Sequence, residues 1–396
     1  MIEMSLDQIA DVVGGTAHGE AVVVGGAFVD TRTPEDGGLF VAVAGERVDG
    51  HDLAAAAGDA GAVAVLGSRP TELPTVVVDD VTGALVAGLG DVQGFCCDSL
   101  VDERVVAEGA PTVPAGAWLD PALLTGAQLV VARLPKSLAA LDELAGAVAA
   151  YAAPDVVLLA GGLVRHLSRG MNDVLAGHFG QVRATLGRHK ARALVAESPS
   201  AGPGALTSWP HRERHEAEDL TVCAHGGVFA GTGIGVGTRV LLDVLHRVPA
   251  DAVEVVDLGS GNGVLAVGAA RVLPRAHVLG TDVSAAAVAS TLATAEANGV
   301  GGQVDAVRTD GLEGVEPGSL DLVVCNPPFH RGTALDRSTS PHLFAEVGAA
   351  LRPGGELWTV WNSHLPYLPM LRARVGSTSV VTQTPRFTVT RSRRPG

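Results

Sequence analysis

Val255-Val-Asp-Leu-Gly-Ser-Gly-Asn-Gly263 is a β-branched run that ends in an acid and then sets glycine at three alternate positions. Glycine has no Cβ and tolerates positive φ, so a strand entering a helix through such a turn can press its backbone N–H groups against a ligand. On its own the turn also fits dinucleotide binding. The residues downstream narrow the choice. Asp282, in Val278-Leu-Gly-Thr-Asp-Val-Ser284, closes the next expected strand; Asp310, in Val307-Arg-Thr-Asp-Gly311, closes the third; Asn326 closes a fourth that starts at Asp321. A doubly wound sheet binds ligands along the carboxyl ends of its strands. Acid or amide side chains at four successive strand ends therefore predict a Rossmann-like α/β domain with its ligand along that edge.

The fourth strand runs into the second informative stretch, Asp321-Leu-Val-Val-Cys-Asn-Pro-Pro-Phe-His330, which places a carboxamide, two prolines and an aromatic ring directly after an apolar run. The exocyclic amino group of a base is flat, with its lone pair delocalised into the ring, and so is a poor nucleophile. The side-chain oxygen of Asn326 and the backbone carbonyl of Pro327 can accept its two N–H bonds, which favours a pyramidal nitrogen with the lone pair aimed at an electrophile. Pro327 and Pro328 stiffen the loop, so the acceptors are aimed beforehand. Phe329 offers a face for the base, a contact worth roughly 1–3 kcal/mol in single-stranded nucleic-acid binding. The expected chemistry is methyl transfer from S-adenosylmethionine to an amine, with Asn326, Pro327, Pro328 and Phe329 as the catalytic set. For the cofactor, Asp257, Gly259, Gly261 and Gly263 are expected around the methionine end. Asp282 is expected at the ribose hydroxyls and Asp310 at the adenine amino group. Asn326 falls in both sets.

An Asn-Pro-Pro motif followed by Tyr or Phe is shared by enzymes that methylate adenine N6, cytosine N4, guanine N2 and a glutamine amide of release factors. Pro327-Pro-Phe-His-Arg-Gly332 and Gly227-Val-Phe-Ala-Gly-Thr-Gly-Ile-Gly-Val-Gly-Thr-Arg-Val-Leu-Leu242 resemble the RlmG and RsmC ribosomal RNA guanine-N2 methyltransferases. Ala230, Gly231 and Gly235 depart from that family's usual Ser-Arg and Asp. Asn362-Ser-His-Leu-Pro-Tyr367 and Pro385-Arg-Phe-Thr-Val389 are similar to its closing segments. Leu134-Pro-Lys-Ser-Leu138 and Arg188-His-Lys-Ala-Arg192 resemble landmarks of its degenerate first half. The resemblance implies a duplicated methyltransferase whose first copy binds no cofactor and helps recognise RNA. It further implies guanine N2 as the acceptor, ribosomal RNA or a ribosomal subunit as partner, and a target base that is unpaired or flipped out. Methylation of a protein glutamine or a DNA base stays open within the same fold.

The front of the chain has another character. Asp30-Thr-Arg32, Gly38-Leu-Phe-Val-Ala42, Gly45-Glu-Arg47, Asp49-Gly-His-Asp52 and Gly61-Ala-Val-Ala-Val65 resemble the N-terminal domain of a Mur ligase, the D-alanyl-D-alanine-adding type. In that family the domain helps hold a UDP-sugar. The central ATP-binding domain is missing, so ligation is excluded. A further alternative is a muropeptide-nucleotide-binding module fused to a vestigial methyltransferase. The expected architecture is thus α/β throughout: a Mur-ligase-like module over 1–80, a degenerate methyltransferase-like domain over 81–205, and a class I methyltransferase domain over 206–396. Short strands are expected at Ala21 to Val24, Leu39 to Val43, Ala62 to Leu66 and Thr75 to Val78. The middle domain should hold strands near Gln128 to Arg133 and Val156 to Ala160, a helix from Ser137 to Tyr151, and Thr75 to Val78 again, which suits either neighbour. Ser200 to Asp219 reads as a connecting loop.

Composition removes several classes of function. The net charge of −15 sits mainly in residues 1–80, with 14 acids against 3 arginines. Residues 161–195 carry Arg165, Arg169, Arg183, Arg188, Lys190 and Arg192 against Asp173 alone, an excess that suits phosphates or a solvated face. Lys136 and Lys190 are the only lysines, and neither lies in a GxxxxGK[ST] loop, which excludes a P-loop nucleotide hydrolase. Cys96, Cys97, Cys223 and Cys325 show no metal or disulfide spacing, and His330, His342 and His364 support no site, so no metal is expected. An acidic start and the absence of a long uninterrupted apolar run predict a cytoplasmic protein with no membrane partner.

Overall fold

The computed structural model describes residues 4–28, 31, 34, 36–42, 49–78, 93–109, 113–185, 187, 190–200, 209–327 and 339–396. These form two compact units, Met1–Cys96 with Glu103–Gly116, and Cys97–Asp102 with Ala117–Gly396.

In the first unit Ser5 opens the Leu6–Val13 helix through a capping box with Gln8, which satisfies two N–H groups at the helix start. Strand β1 (Met4–Ser5) pairs with β3 (Val23–Val24). The main sheet has the order β2 (Thr16–His18), β7 (Thr75–Val77), β6 (Ala62–Gly67), β5 (Gly38–Val41) and β4 (Gly26–Phe28); only β2 runs antiparallel to its neighbour. Leu39, Val41, Leu66 and Val76 pack with the helix residues Leu6 and Ile9, while Phe40 and Val65 pack with Ala54 and Ala57 on the other face. Alternation along each strand supplies both layers. Thr75–Val77, which suited either neighbour, belongs to this sheet and has no partner in the middle domain's sheet. The expected junction at residues 80 and 81 falls outside the described residues.

In the second unit a four-stranded sheet has the order β10 (Phe179–Ala184), β11 (Ala191–Pro199), β9 (Val157–Leu163) and β8 (Leu129–Arg133). Strands β8 and β9 are parallel, joined through the Leu138–Tyr151 helix that Ser137 caps. That helix is apolar nearly all round and accordingly buried from Leu141 to Ala150 save Asp142. Its one buried acid, Glu143, accepts from His225 Nδ1 and, at 2.7 Å, from the backbone N–H of Gly226.

The segment expected as a connecting loop holds a strand. Strand β12 (His211–His215) pairs antiparallel with β13 (Leu220–Ala224). His-Arg-Glu-Arg-His carries no apolar alternation because the strand is largely exposed, so nothing in its sequence marks it. The anchor is β13, whose second edge is satisfied by side chains of the Ala285–Ala297 helix and its end. Thr294 Oγ1 accepts from Cys223 N and donates to its carbonyl, and the Asn298 amide does the same for Thr221.

The large sheet has seven strands in the order β16 (Val304–Arg308), β15 (His277–Asp282), β14 (Glu254–Leu258), β17 (Leu320–Cys325), β18 (Leu351–Asn362), β20 (Phe387–Arg393) and β19 (Ser377–Gln383). The first five are parallel, and β20 runs antiparallel to both neighbours. Strand order reverses between β14 and β17, the switch point at which such sheets take ligands. The fifth strand begins at Leu351, with a register shift against β17 at Leu320/Leu322. Among the described residues no helix is long and apolar enough to cross a membrane.

Candidate active site

Four of the expected positions lie along the carboxyl edge of the large sheet because its parallel strands all end there. Asp257, next to last in β14, is 1% exposed, and its Oδ2 accepts from Ala266 N at 2.8 Å in the first turn of the Val264–Val272 helix. Its Oδ1 is buried with no hydrogen-bond partner, as is Thr281 Oγ1 on the adjacent strand. Burial pushes the Asp257 carboxyl up to about 7, against the lowering effect of the Ala266 N–H. Asp282, the last residue of β15, accepts from Gly261 N and Ser284 N, each at 3.0 Å, and burial raises its carboxyl as well. Asp310 lies just past β16, half-buried.

The three turn glycines all have positive φ, +73° at Gly259, +56° at Gly261 and +77° at Gly263. A Cβ on Gly259 would meet nothing within 4 Å, and one on Gly261 would meet only the Gly259 carbonyl at 4.0 Å. Gly263 differs: its Cβ would lie 2.7 Å from Thr291 Cα, so close helix packing accounts for this glycine. Two open glycines, a buried carboxylate oxygen without a partner and an acid at the next strand end form a set that fits the amino-acid and ribose ends of S-adenosylmethionine.

Asn326 follows β17, and its Nδ2 donates to Thr238 Oγ1 at 3.0 Å. Pro327 is buried. Pro328 and Phe329 lie outside the described residues, as do His330, Arg331 and Gly332. Thr238 belongs to the short Val236–Leu242 helix that closes the glycine-rich segment, and that segment is tied to the cofactor turn at its other end. There Asn262 Nδ2 donates to the carbonyls of Gly231 and Gly233, each at 2.9 Å. Cys325, beside Asn326, is fully buried, and burial holds its thiol well above the ordinary range, so it stays protonated and offers no nucleophile.

Sequence reasoning passes over three residues. Thr238 and Asn262 stand inside the two glycine-rich stretches, but their partners are visible only in space. Asp98 carries no signal at all. Its carboxylate accepts from Ser284 Oγ and, at 2.8 Å, from Ala286 N, capping the helix that follows Asp282. Leu100 N bonds the Val283 carbonyl at 2.8 Å, Ala285 N bonds the Asp98 carbonyl at 2.9 Å, and Arg308 reaches the carbonyls of Cys97 and Asp98. Residues 98–100 thus clasp the chain just beyond Asp282. Among the described residues no group of three or more His, Cys, Asp or Glu could hold a metal ion.

Two family profiles match, the methyltransferase small domain over residues 219–391 and the RLMG N-terminal domain over 51–200. The second begins at residue 51, so that residues 51–80, expected to be Mur-ligase-like, match the RLMG N-terminal domain instead. Ribosomal RNA large subunit methyltransferase G of Streptomyces griseus subsp. griseus is 37% identical over 270 residues, covering 67% of this chain and 70% of that protein. The protein of the same name from Pseudomonas putida is 36% identical over 265 residues, with the same coverage of both chains. Among solved structures, the T. thermophilus 16S rRNA N2 G1207 methyltransferase (RsmC), in complex with AdoMet and guanosine, matches at a TM-score of 0.64 and 21% identity, covering 98% of this chain and 99% of that one. That likeness establishes the Rossmann-like class I methyltransferase fold.

Proposed function

Because the chain belongs to the family of ribosomal RNA large subunit methyltransferase G, we propose that it methylates the N2 amino group of a guanine in ribosomal RNA. It is an S-adenosylmethionine-dependent N-methyltransferase. The observation that carries the site assignment is the amide of Asn326, set at the switch point and held through its nitrogen by Thr238. With Nδ2 committed to the Thr238 hydroxyl, Oδ1 is left to accept from the substrate amine, and the Pro327 carbonyl supplies the second acceptor. The bound cofactor supplies a sulfonium-activated methyl group. Around it, the open backbone at Gly259 and Gly261 and the buried Asp257 hold the methionine end, Asp282 receives the ribose hydroxyls and Asp310 the adenine amino group. Gly263 sets the helix entry by packing on Thr291. Phe329 stacks on the base, and Pro328 stiffens the loop.

In this reading residues 81–205 form a degenerate methyltransferase-like domain that recognises RNA, residues 206–396 carry the chemistry, and the enzyme works in the cytoplasm on ribosomal RNA or a ribosomal subunit. The Mur-ligase-like reading of residues 1–80 is supported by their quoted motifs. It predicts uridine-nucleotide binding by the full chain, measurable by calorimetry, and no heat on titration would end it.

The decisive experiment is to incubate the chain with methyl-labelled S-adenosylmethionine and unmodified ribosomal RNA or subunits, then digest to nucleosides. Label is expected in N2-methylguanosine and lost in Asn326→Ala with cofactor binding intact. Label in another nucleoside, or in protein, would overturn the guanine assignment.

A further inference from the structure

Asp282, assigned above to the ribose hydroxyls, does not aim its own carboxylate. Oδ2 accepts from Gly261 N and Oδ1 from Ser284 N, each at 3.0 Å, so one oxygen is held by the cofactor turn and the other by the chain just beyond β15. The turn is itself fixed, because Gly259 N and Ser260 N both donate to the Thr281 carbonyl and Gly263 packs on Thr291. The direction of the carboxylate therefore depends on what fixes Ser284.

Ser284 is the N-cap of the Ala285–Ala297 helix, and its Oγ accepts from Ala287 N at 3.1 Å. The proton of that hydroxyl goes to Asp98, whose two oxygens lie 2.8 and 2.7 Å from Oγ. Asp98 Oδ1 also accepts from Ala286 N at 2.8 Å. The backbone around Asp98 is bound in turn: Ser99 bridges Ser284, and Arg308 Nη2 and Nε donate to the carbonyls of Cys97 and Asp98 at 2.6 and 3.2 Å. A helix that Ser284 already caps needs no second cap from a residue 186 positions away. What Asp98 adds is a fixed place for Ser284, whose N–H reaches Asp282 while its hydroxyl reaches Asp98. Charge does not explain the arrangement. Burial chiefly, and the Asp98 charge in addition, raise the Asp282 carboxyl, so the two acids repel and the benefit must lie in geometry.

We propose that Asp98 is a positioning residue for the cofactor: acting through Ser284, it holds the Asp282 carboxylate ready for the ribose hydroxyls. This rests on the assignment of Asp282 to the ribose. A carboxylate set in place before the ligand arrives spares the ordering that binding would otherwise require.

The test uses the full chain and follows binding of S-adenosylmethionine and S-adenosylhomocysteine by calorimetry, beside kcat and KM on ribosomal RNA. Asp98→Ala should weaken both ligands about tenfold and raise the KM for S-adenosylmethionine to match, with kcat at saturating cofactor and the KM for RNA unchanged. Asp98→Asn keeps an acceptor for Ser284 and Ala286 and should restore affinity. The loss in Asp98→Ala should shrink for the 2′-deoxy analogue of S-adenosylhomocysteine, which has one hydroxyl fewer to misplace. Asp120→Ala, which removes the side-chain cap of the Pro121–Leu124 helix, should lower the denaturation midpoint and leave cofactor affinity alone. If Asp98→Ala melts earlier yet binds cofactor as the parent does, Asp98 is a helix cap and nothing more. The inference falls equally if asparagine loses as much as alanine, or if the loss is undiminished for the 2′-deoxy analogue. Asp282→Ala separates the two levels of the argument: it should weaken cofactor binding more than Asp98→Ala does. Normal binding by Asp282→Ala would overturn the ribose assignment and this inference together.

Discussion

The carboxyl edges of the two sheets in the second unit occupy equivalent places in α/β architecture and are built from opposite materials. Beyond β14 the chain offers open glycines at positive φ and, at the end of β15, an acid that engages the turn itself through Gly261. Beyond β8 it offers Leu134, Pro135 and Lys136, with Arg165 close by after β9. One edge is lined by acids and N–H donors suited to a small zwitterion with a sugar. The other has no glycine turn and is lined by Arg133, Lys136 and Arg165. The position of a site thus follows from topology, while its ligand follows from which backbone groups and charges remain there.

The sharpest way to break the contrast is at Asn326. Asn326→Ala should lower methyl transfer by about 100-fold or more, the usual effect of removing one preorganised polar group, with cofactor affinity unchanged in calorimetry. Retained turnover would show that the catalytic edge does not work through its amide. Next comes the division among the turn glycines. Gly263→Ala pushes a Cβ into Thr291 and should cost about 2 kcal/mol of stability in denaturant melts. Gly259→Ala, in open space, should cost only about 1 kcal/mol for its positive φ and act mainly on cofactor affinity. Equal melting losses would refute the distinction.

Asp257 gives a third, through pH. Its folded value near 7 lies above the unfolded value of about 3.9, so between those limits the native state holds the proton more tightly. Its contribution therefore makes stability fall as pH rises from about 4 to 7, by at most about 1.4 kcal/mol per unit. Asp257→Asn should flatten that slope, and an unchanged slope would assign it elsewhere. The smallest expected effect is at Thr238. Thr238→Val frees the Asn326 amide and, at about 1 kcal/mol for one hydrogen bond, should reduce kcat about fivefold with little change in cofactor affinity. Thr238→Ser should restore it; a structural role alone would not produce that rescue.

Much of the catalytic fold is legible in the sequence because four parallel strands, β14 to β17, are short runs with an acid or amide at or just beside their carboxyl ends, a pattern local in the chain. The Leu138–Tyr151 helix and strands β8 and β9 are legible as well, because their apolar runs are likewise local in the chain. Strand β12 is not, since an exposed strand of alternating charges carries no apolar period. The reason for Gly263 is hidden too: spacing shows that a glycine is present, and only Thr291 shows why. Thr238 reaching Asn326, Glu143 reaching His225 and Asp98 reaching Ser284 are pairings across long stretches of chain, which periodicity cannot report.

The clasp at residues 98–100 bears on how this protein can be taken apart. Chain order runs from the first unit into Cys97–Asp102, back through Glu103–Gly116, and only then onward from Ala117. A gene fragment starting at residue 206 would carry every strand of the seven-stranded sheet and still lack Asp98, leaving Ser284 and Ala286 without their cap beside Asp282. Such a fragment should lose about 1 kcal/mol of helix capping next to Asp282, a cost that the full-length chain avoids by reaching back to residue 98.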